Sequence, residues 1–315
     1  MTSFDTGTSK NYGLDEHLDY ATRYGRALES VQVIQGLWDS YEDDAFVADV
    51  ERNVFLDPDR LHALHHAGEH FEVAGPLNIS RSKQGQPVIF QAGVSEDGRN
   101  LAARVAEGIY APGGSLAEAQ AYYADIKRRA AERGRDPGHV VIFTGASPVV
   151  GSTDDDAARL SREIYEADND FDRKLGFLGR AFGAYDFSQH DLDAPFPDVA
   201  QHAEKGGRTR GLELVRTAKE QGLTLRQVVE TVTEYHPSPF TGAPDTVADA
   251  ITDWFENRAA DGLNLRFRTH DDLERFAGDV VPALQKRGVF RTEYEGDTLR
   301  ASLGLPVPAN RYTSA

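Results

Sequence analysis

The sequence contains no cysteine. That excludes disulfides, thiolate metal sites and a cysteine nucleophile, and it fits a reducing compartment. No apolar run approaches the roughly 20 residues that a membrane-spanning helix needs. The N-terminus from Met1 to Gly13 is polar and lacks the apolar stretch of a secretory signal, so a cytoplasmic location is expected. Positive charge is in short supply: 34 Lys and Arg stand against 51 Asp and Glu, a formal net charge of -17. Such a surface repels phosphate backbones and anionic headgroups, so neither nucleic acid nor membrane is an expected partner. The G-x-G-x-x-G, P-loop, H-E-x-x-H and G-x-S-x-G patterns are missing too. This argues against nucleotide hydrolysis, zinc proteolysis and serine-hydrolase chemistry.

What is present suits a globular protein. At 315 residues, 40% hydrophobic and 27% charged, the chain can bury a sizeable core. Residues 1–14 read as a loop. Tyr20, Tyr24, Ala27, Leu28, Val31, Ile34, Leu37 and Trp38 recur at helical spacing and predict one face of a long helix. Residues 39–87 are rich in Asp, His, Gly and Pro and read as a lid-like excursion. Short apolar runs at Val88–Gly93, Gly108–Ala111 and Val140–Phe143 predict buried strands, with helices from Ser95 to Val105 and over 115–133 between them. Strand and helix alternating at this spacing predict parallel βαβ units. Residues 154–245 read as a helical insertion with a basic break at Lys205–Arg210. A helix over 244–259 and a fourth strand at Gly262–Leu265 follow. Asp271 or Asp272 is then expected to cap a helix carrying Leu273, Phe276, Val280, Val281 and Leu284, before an extended tail over 289–315.

A set of ordered motifs resembles the luciferase-like flavin-dependent monooxygenases, in the branch of nitrilotriacetate monooxygenase component A. They include Asn11-Tyr12-Gly13-Leu14-Asp15-Glu16-His17, Arg23-Tyr24-Gly25-Arg26-Ala27, Gly36-Leu37-Trp38-Asp39-Ser40 and Gly75-Pro76-Leu77-Asn78. Further along are Phe90-Gln91-Ala92-Gly93-Val94-Ser95 with Gly98, Ser147-Pro148-Val149-Val150-Gly151, Phe290 to Gly296, Leu303 to Pro306, and Asn310-Arg311-Tyr312. Each is weak alone; their number and order carry the match. The resemblance implies an α/β fold, a (β/α)8 TIM barrel of the bacterial-luciferase type with helical insertions. It aligns Thr2-Ser3 with the end of the fourth strand, so that about four strands of the barrel are expected to be lacking from this chain. The implied activity is oxidation of a small organic substrate by O2 and reduced FMN, supplied by a partner flavin reductase, in a homo-oligomer. Two rival readings stand beside it. One is a half-barrel without catalysis, inactive or dependent on a partner; the other is a deazaflavin-dependent dehydrogenase of the same superfamily.

Candidate site residues follow. Ser95 sits between a strand and a helix, where free backbone N–H groups and a partial positive charge suit a phosphate. The plainer reading from spacing is an N-cap. By resemblance Ser95 contacts the FMN phosphate, and Val94 offers a backbone N–H. Tyr20 and Tyr24 share a helix face, and spacing alone favours core packing. By resemblance Tyr24 lies in the flavin-phosphate region, and Tyr20 stands where relatives commonly have a flavin-contacting histidine. A tyrosine there donates a hydrogen bond but is a poor base. His17 is expected to face the same pocket or the surface. His62, His66 and His70 are spaced for one helix face, as metal ligands require, with His65 beside them. Gly68 interrupts that helix, and the family places a hairpin there, so no metal is assigned. Asn78, Arg81 and Lys83 are expected along the lid.

Overall fold

The computed structural model describes residues 8–15, 18–167, 170–203 and 208–313. Helix α1 spans Tyr20–Trp38, started by Asp19, whose carboxylate accepts from Thr22 N. The helix forms where apolar spacing puts it, and from Tyr24 to Trp38 the expected stripe is half-buried apart from Ile34. Ile34 is 40% exposed, whereas Glu29, Val33 and Gly36 are covered. The reason is that a polar layer packs on α1. Glu29 lies 2.9 Å from His66 Nε2 and accepts from His70 N and Phe71 N. The segment carrying these histidines is a hairpin of β1 (His66–Ala67) and β2 (Glu72–Val73), not a helix. His62 is 2.7 Å from Glu42 and stacks on Tyr312, so the histidines do not share one face.

The central sheet has the order β3 (Phe90–Ala92), β4 (Gly108–Ala111), β5 (Val141–Ala146) and β8, introduced below, with every pairing parallel. Helices α2 (Glu96–Val105) and α3 (Leu116–Glu132) are the crossovers. Period-2 alternation explains what each face does. Ile109, Ala111, Val140 and Ile142 are buried against Ala102, Tyr122, Ile126 and Ala130 of the crossover helices. On the other face, aromatic rings lie over glycines of neighbouring strands. Phe90 covers Gly108; a Cβ on Gly145 would come within 2.9 Å of Tyr110 Oη, and one on Gly262 within 2.9 Å of Phe143. These glycines make room for the rings.

After β5 the chain forms β6 (Val149–Val150), which pairs in parallel with β7 (Thr241–Gly242). Between them lie α4 (Asp154–Ala167), α5 (Phe171–Arg180), α6 (Ala200–Ala203), α7 (Arg208–Gln221) and α8 (Leu225–Val232), around a core of their own that includes Leu178, Phe182, Phe187 and Leu225. The basic break expected at Lys205–Arg210 falls largely on residues 204–207, outside the described residues.

Helix α9 (Pro244–Glu256) leads to β8 (Gly262–Leu265). The next helix is capped by Thr269, not by Asp271 or Asp272. Thr269 Oγ1 accepts from Asp272 N at 3.2 Å, and the Asp272 carboxylate accepts in turn from Thr269 N at 3.1 Å. Nor is that helix uniform. It runs α10 (His270–Arg275), a π turn over Phe276–Val280, then α11 (Val281–Lys286). Pro282 has no N–H to donate one turn back, which lets the π register form just before it.

The tail is extended except for the short helix α12 (Leu299–Ser302), and it is clamped. Arg300, 1% exposed, forms a two-pronged pair with Glu107 at 2.6 and 2.7 Å, and its Nε donates to Gln86 O at 2.7 Å. Asn310 donates to Asp39 O and Tyr41 O. Removing one member of a buried pair strands the other charge, which costs about 3–5 kcal/mol. Arg300→Ala is therefore expected to lower unfolding free energy by that amount in urea titrations, and Arg300→Ala/Glu107→Leu to recover much of it.

Candidate functional site

The loop after β3 is the best-organised polar feature at the C-terminal end of the sheet. Ser95 has an extended backbone (φ -65°, ψ 163°), and its Oγ accepts from Gly98 N at 3.2 Å. Tyr24, reaching over from α1, brings its hydroxyl 3.4 Å from Ser95 Oγ. Two hydroxyls from distant parts of the chain thus meet at the N-terminus of α2, where the first-turn N–H groups have no helical acceptor. The two loop carbonyls are each engaged: Arg99 Nε donates to Val94 O at 2.9 Å, and Tyr122 Oη donates to Gly93 O at 3.4 Å. Burial pushes the Tyr122 hydroxyl up to about 12, so it stays a neutral donor at physiological pH.

Glycine shapes the cradle. A Cβ on Gly98 would sit 3.1 Å from both the Gly93 carbonyl carbon and Ser95 Oγ, and one on Gly93 would sit 2.8 Å from Gln91 Nε2. The side-chain oxygen Oε1 of Gln91 is buried without a hydrogen-bond partner. The absence of a Cβ at these two positions lets the loop after β3 lie close against the start of α2.

Glu96 and Asp97 in the first turn would oppose an anion, but Glu96 is turned aside. Arg129 grips its carboxylate at 2.6 and 2.9 Å. Arg129 also bonds Asp125, as do Arg99 at 2.9 Å and Arg128 at 2.5 Å. Burial alone would raise Asp125, but hydrogen bonds from Arg99, Arg129 and Arg128 outweigh it and hold the carboxyl at about 2. The far end of α2 is finished by Arg135, which donates to Ala103 O and Ala106 O. Cations at a helix C-terminus complement its dipole.

A cavity of about 500 Å³ opens at the same end of the sheet, over the C-terminal ends of β4, β5 and β8. Tyr110, Gly145, Ser147, Trp254 and Arg266 are among its walls. An anion-binding loop beside a cavity of this size suits a phosphate-bearing cofactor and a small organic molecule.

Of the expected site residues, the structure brings Tyr24 and Ser95 together. Val94 is in the loop and 48% exposed, with its carbonyl held by Arg99. Tyr20 opens α1, but its side chain lies outside the described residues, as does His17. Arg81 is not along a lid surface: it is buried against Asp39 at 3.1 Å and donates to Pro308 O. Lys83 is exposed, 3.8 Å from Asp297. Arg99, Tyr122 and Asp125 were not singled out from sequence. Arg99 stands one turn after Ser95, a spacing that offers a signal; the link from Asp125 does not show until α2 and α3 are packed.

A family model described as luciferase-like monooxygenase matches residues 2–262. The chain belongs to the luciferase-like monooxygenase family. It is 40% identical to N-acetyl-S-(2-succino)cysteine monooxygenase of Bacillus subtilis (strain 168), over 99% of this chain and 71% of that one. It is 38% identical to nitrilotriacetate monooxygenase component A of Aminobacter aminovorans, over 98% and 68%. Among solved structures, a riboflavin lyase holding modified FMN and riboflavin superposes with a TM-score of 0.80 at 26% identity, over 98% of this chain and 68% of that one. The chain spans 68–71% of the length of these relatives. The four parallel strands with outer helices agree with the TIM-barrel type of this family. Among the described residues no helix is long and apolar enough to cross a membrane.

Two expectations test the site. The Asp125 carboxyl is held below its ordinary value of 3.8, so its contribution to stability is present above about pH 4 and lost as pH falls toward 2. Asp125→Asn should cost about 1–2 kcal/mol at pH 7, with the gap from wild type closing between pH 4 and pH 2 in denaturant melts. Gly98→Ala should push the Gly93 backbone and the Ser95 hydroxyl away from α2 and lower the unfolding free energy by about 1–3 kcal/mol in urea titrations.

Proposed function

We propose that this chain binds FMN with its phosphate at the N-terminus of α2. It would use the reduced form, delivered by a separate flavin reductase, to oxidise a small organic substrate with O2. The observation that carries this reading is the cradle itself: two facing glycines, the hydroxyls of Ser95 and Tyr24 at 3.4 Å, and the open amides of a helix start. Of the two first-turn carboxylates that would repel a phosphate, Glu96 is neutralised by Arg129.

Ser95 Oγ and Tyr24 Oη would hold phosphate oxygens, together with the backbone N–H groups of Val94, Glu96 and Asp97. Arg99 supplies nearby positive charge and fixes the loop through Val94 O. Tyr20, one turn before Tyr24 on α1, would contact the flavin as a hydrogen-bond donor, since a tyrosine near its reference pKa of about 10 is a poor base. When bound, FMN supplies the electrons and the activation of O2; the protein binds, orients and excludes water. This division of labour explains why an acid–base dyad is not required at the cavity. The partner component follows the two-component naming of the nitrilotriacetate relative.

Anaerobic fluorescence titration with reduced FMN tests the reading. Saturable binding is expected, weakened about tenfold by Ser95→Ala, the equivalent of one charge-assisted hydrogen bond. With a flavin reductase and O2, nitrilotriacetate and N-acetyl-S-(2-succino)cysteine, the compounds of two relatives, are the first substrates to try. Absence of reduced-FMN binding by the wild-type chain overturns the proposal.

A further inference from the structure

The cavity over β4, β5 and β8 carries one formal charge, and it is positive. Its walls include Arg266 and no aspartate or glutamate, in a chain whose net charge is -17. Arg266 is the residue immediately after β8, and its backbone N–H donates to Ala146 O at 2.9 Å, so the strand ladder fixes its position. Strand alternation sets its direction. Leu265 packs into the core with Trp254 and Val247, whereas Asn264 and Arg266 on either side of it are exposed toward the cavity. Asn264 stands opposite Gly145 in the register, and the Tyr110 ring lies over that glycine.

Among the described residues, the Arg266 guanidinium meets no carboxylate, in contrast to Arg81, Arg99, Arg129 and Arg300, each held by Asp or Glu at 3.1 Å or less. A guanidinium is weakly hydrated for a cation and offers a planar fork that matches a carboxylate. The remaining walls divide by chemistry. Ser147, Ser238, Asn264 and Tyr110 offer neutral hydrogen bonds, while Phe240 and Trp254, with ring centroids 5.0 Å apart, form an apolar side.

We infer that the cavity takes a small organic acid, its carboxylate paired with Arg266 and its uncharged part against Phe240 and Trp254. This deepens the reading above by naming the substrate class. It places a second anion site apart from the FMN phosphate site, at the end of β8 and not after β3. Arg266 is thereby the specificity-determining residue, selecting anionic over neutral substrates.

Isothermal titration with phenylsuccinate and its neutral diamide tests this without any flavin, and a change in tryptophan emission that persists in Trp38→Phe, where Trp254 is the remaining tryptophan, reports occupancy of the cavity itself. Phenylsuccinate should bind, and the diamide at least tenfold more weakly. Arg266→Gln should weaken phenylsuccinate at least tenfold, and Arg266→Lys by less. Both variants should melt at the wild-type temperature and bind reduced FMN within twofold of wild type. Equal binding of acid and amide, no binding of either, or an unchanged phenylsuccinate affinity in Arg266→Gln overturns the inference. So does competition by inorganic phosphate, or a loss of FMN affinity as large as that for phenylsuccinate, since Arg266 would then serve the flavin. Arg266-dependent phenylsuccinate binding in a chain that fails to bind FMN would overturn the flavin reading and leave this one standing.

Discussion

The strands β3, β4, β5 and β8 all run in one direction, and a parallel sheet therefore has two unlike ends. Buried charges gather at the end where strands begin. Glu107, just before β4, is paired with Arg300; Asp261, just before β8, is bonded by Lys127 at 3.1 Å, Tyr123 and the Ile142 N–H. Each ion there has its partner and its extra hydrogen bonds, which is the condition for burying charge without a large penalty. At the opposite end the chain places glycines, a helix start and a cation without a carboxylate. Polar groups there are arranged around space. In barrels of this type conservation of structure belongs to the first end and chemistry to the second.

Asp125 connects the two halves of the proposed phosphate site. It receives three arginines from two helices: Arg99 of α2, and Arg128 and Arg129 of its own helix, α3. Through Arg99 it positions the Val94 carbonyl, and through Arg129 it draws Glu96 away from the helix start. An acidic residue deep in the crossover layer thus makes the mouth of the site more positive. The same logic reconciles a net charge of -17 with a site for an anionic cofactor: the overall sign of a protein does not decide the sign of a pocket.

Much of this was legible in the sequence. The four short apolar runs became β3, β4, β5 and β8, but they are not buried on both faces: Phe90 of β3 is 52% exposed and Tyr110 of β4 is 44% exposed. Ser95 was legible as a cap, and its meeting with Tyr24 came only through family motifs, since 71 residues separate them. Three features were not legible. One layer on α1 is polar, with Glu29 bonded to backbone amides that no periodicity announces. The cap at Thr269 was displaced by two residues because Thr and Asp are near-equal capping candidates and the capping box, not the residue type, decides. Arg266 passed unnoticed because its meaning lies in which neighbours are absent, which depends on the packing of β5 against β8.

The central claim is that the α2 N-terminus receives the phosphate of FMN. Amide hydrogen exchange of residues 93–98, followed with FMN and with riboflavin, tests it directly, because the two ligands differ by the phosphate alone. The account predicts that FMN slows exchange at Val94, Glu96 and Asp97 while riboflavin leaves these amides unchanged. Equal protection by both, or protection by FMN elsewhere but not in this loop, would contradict it.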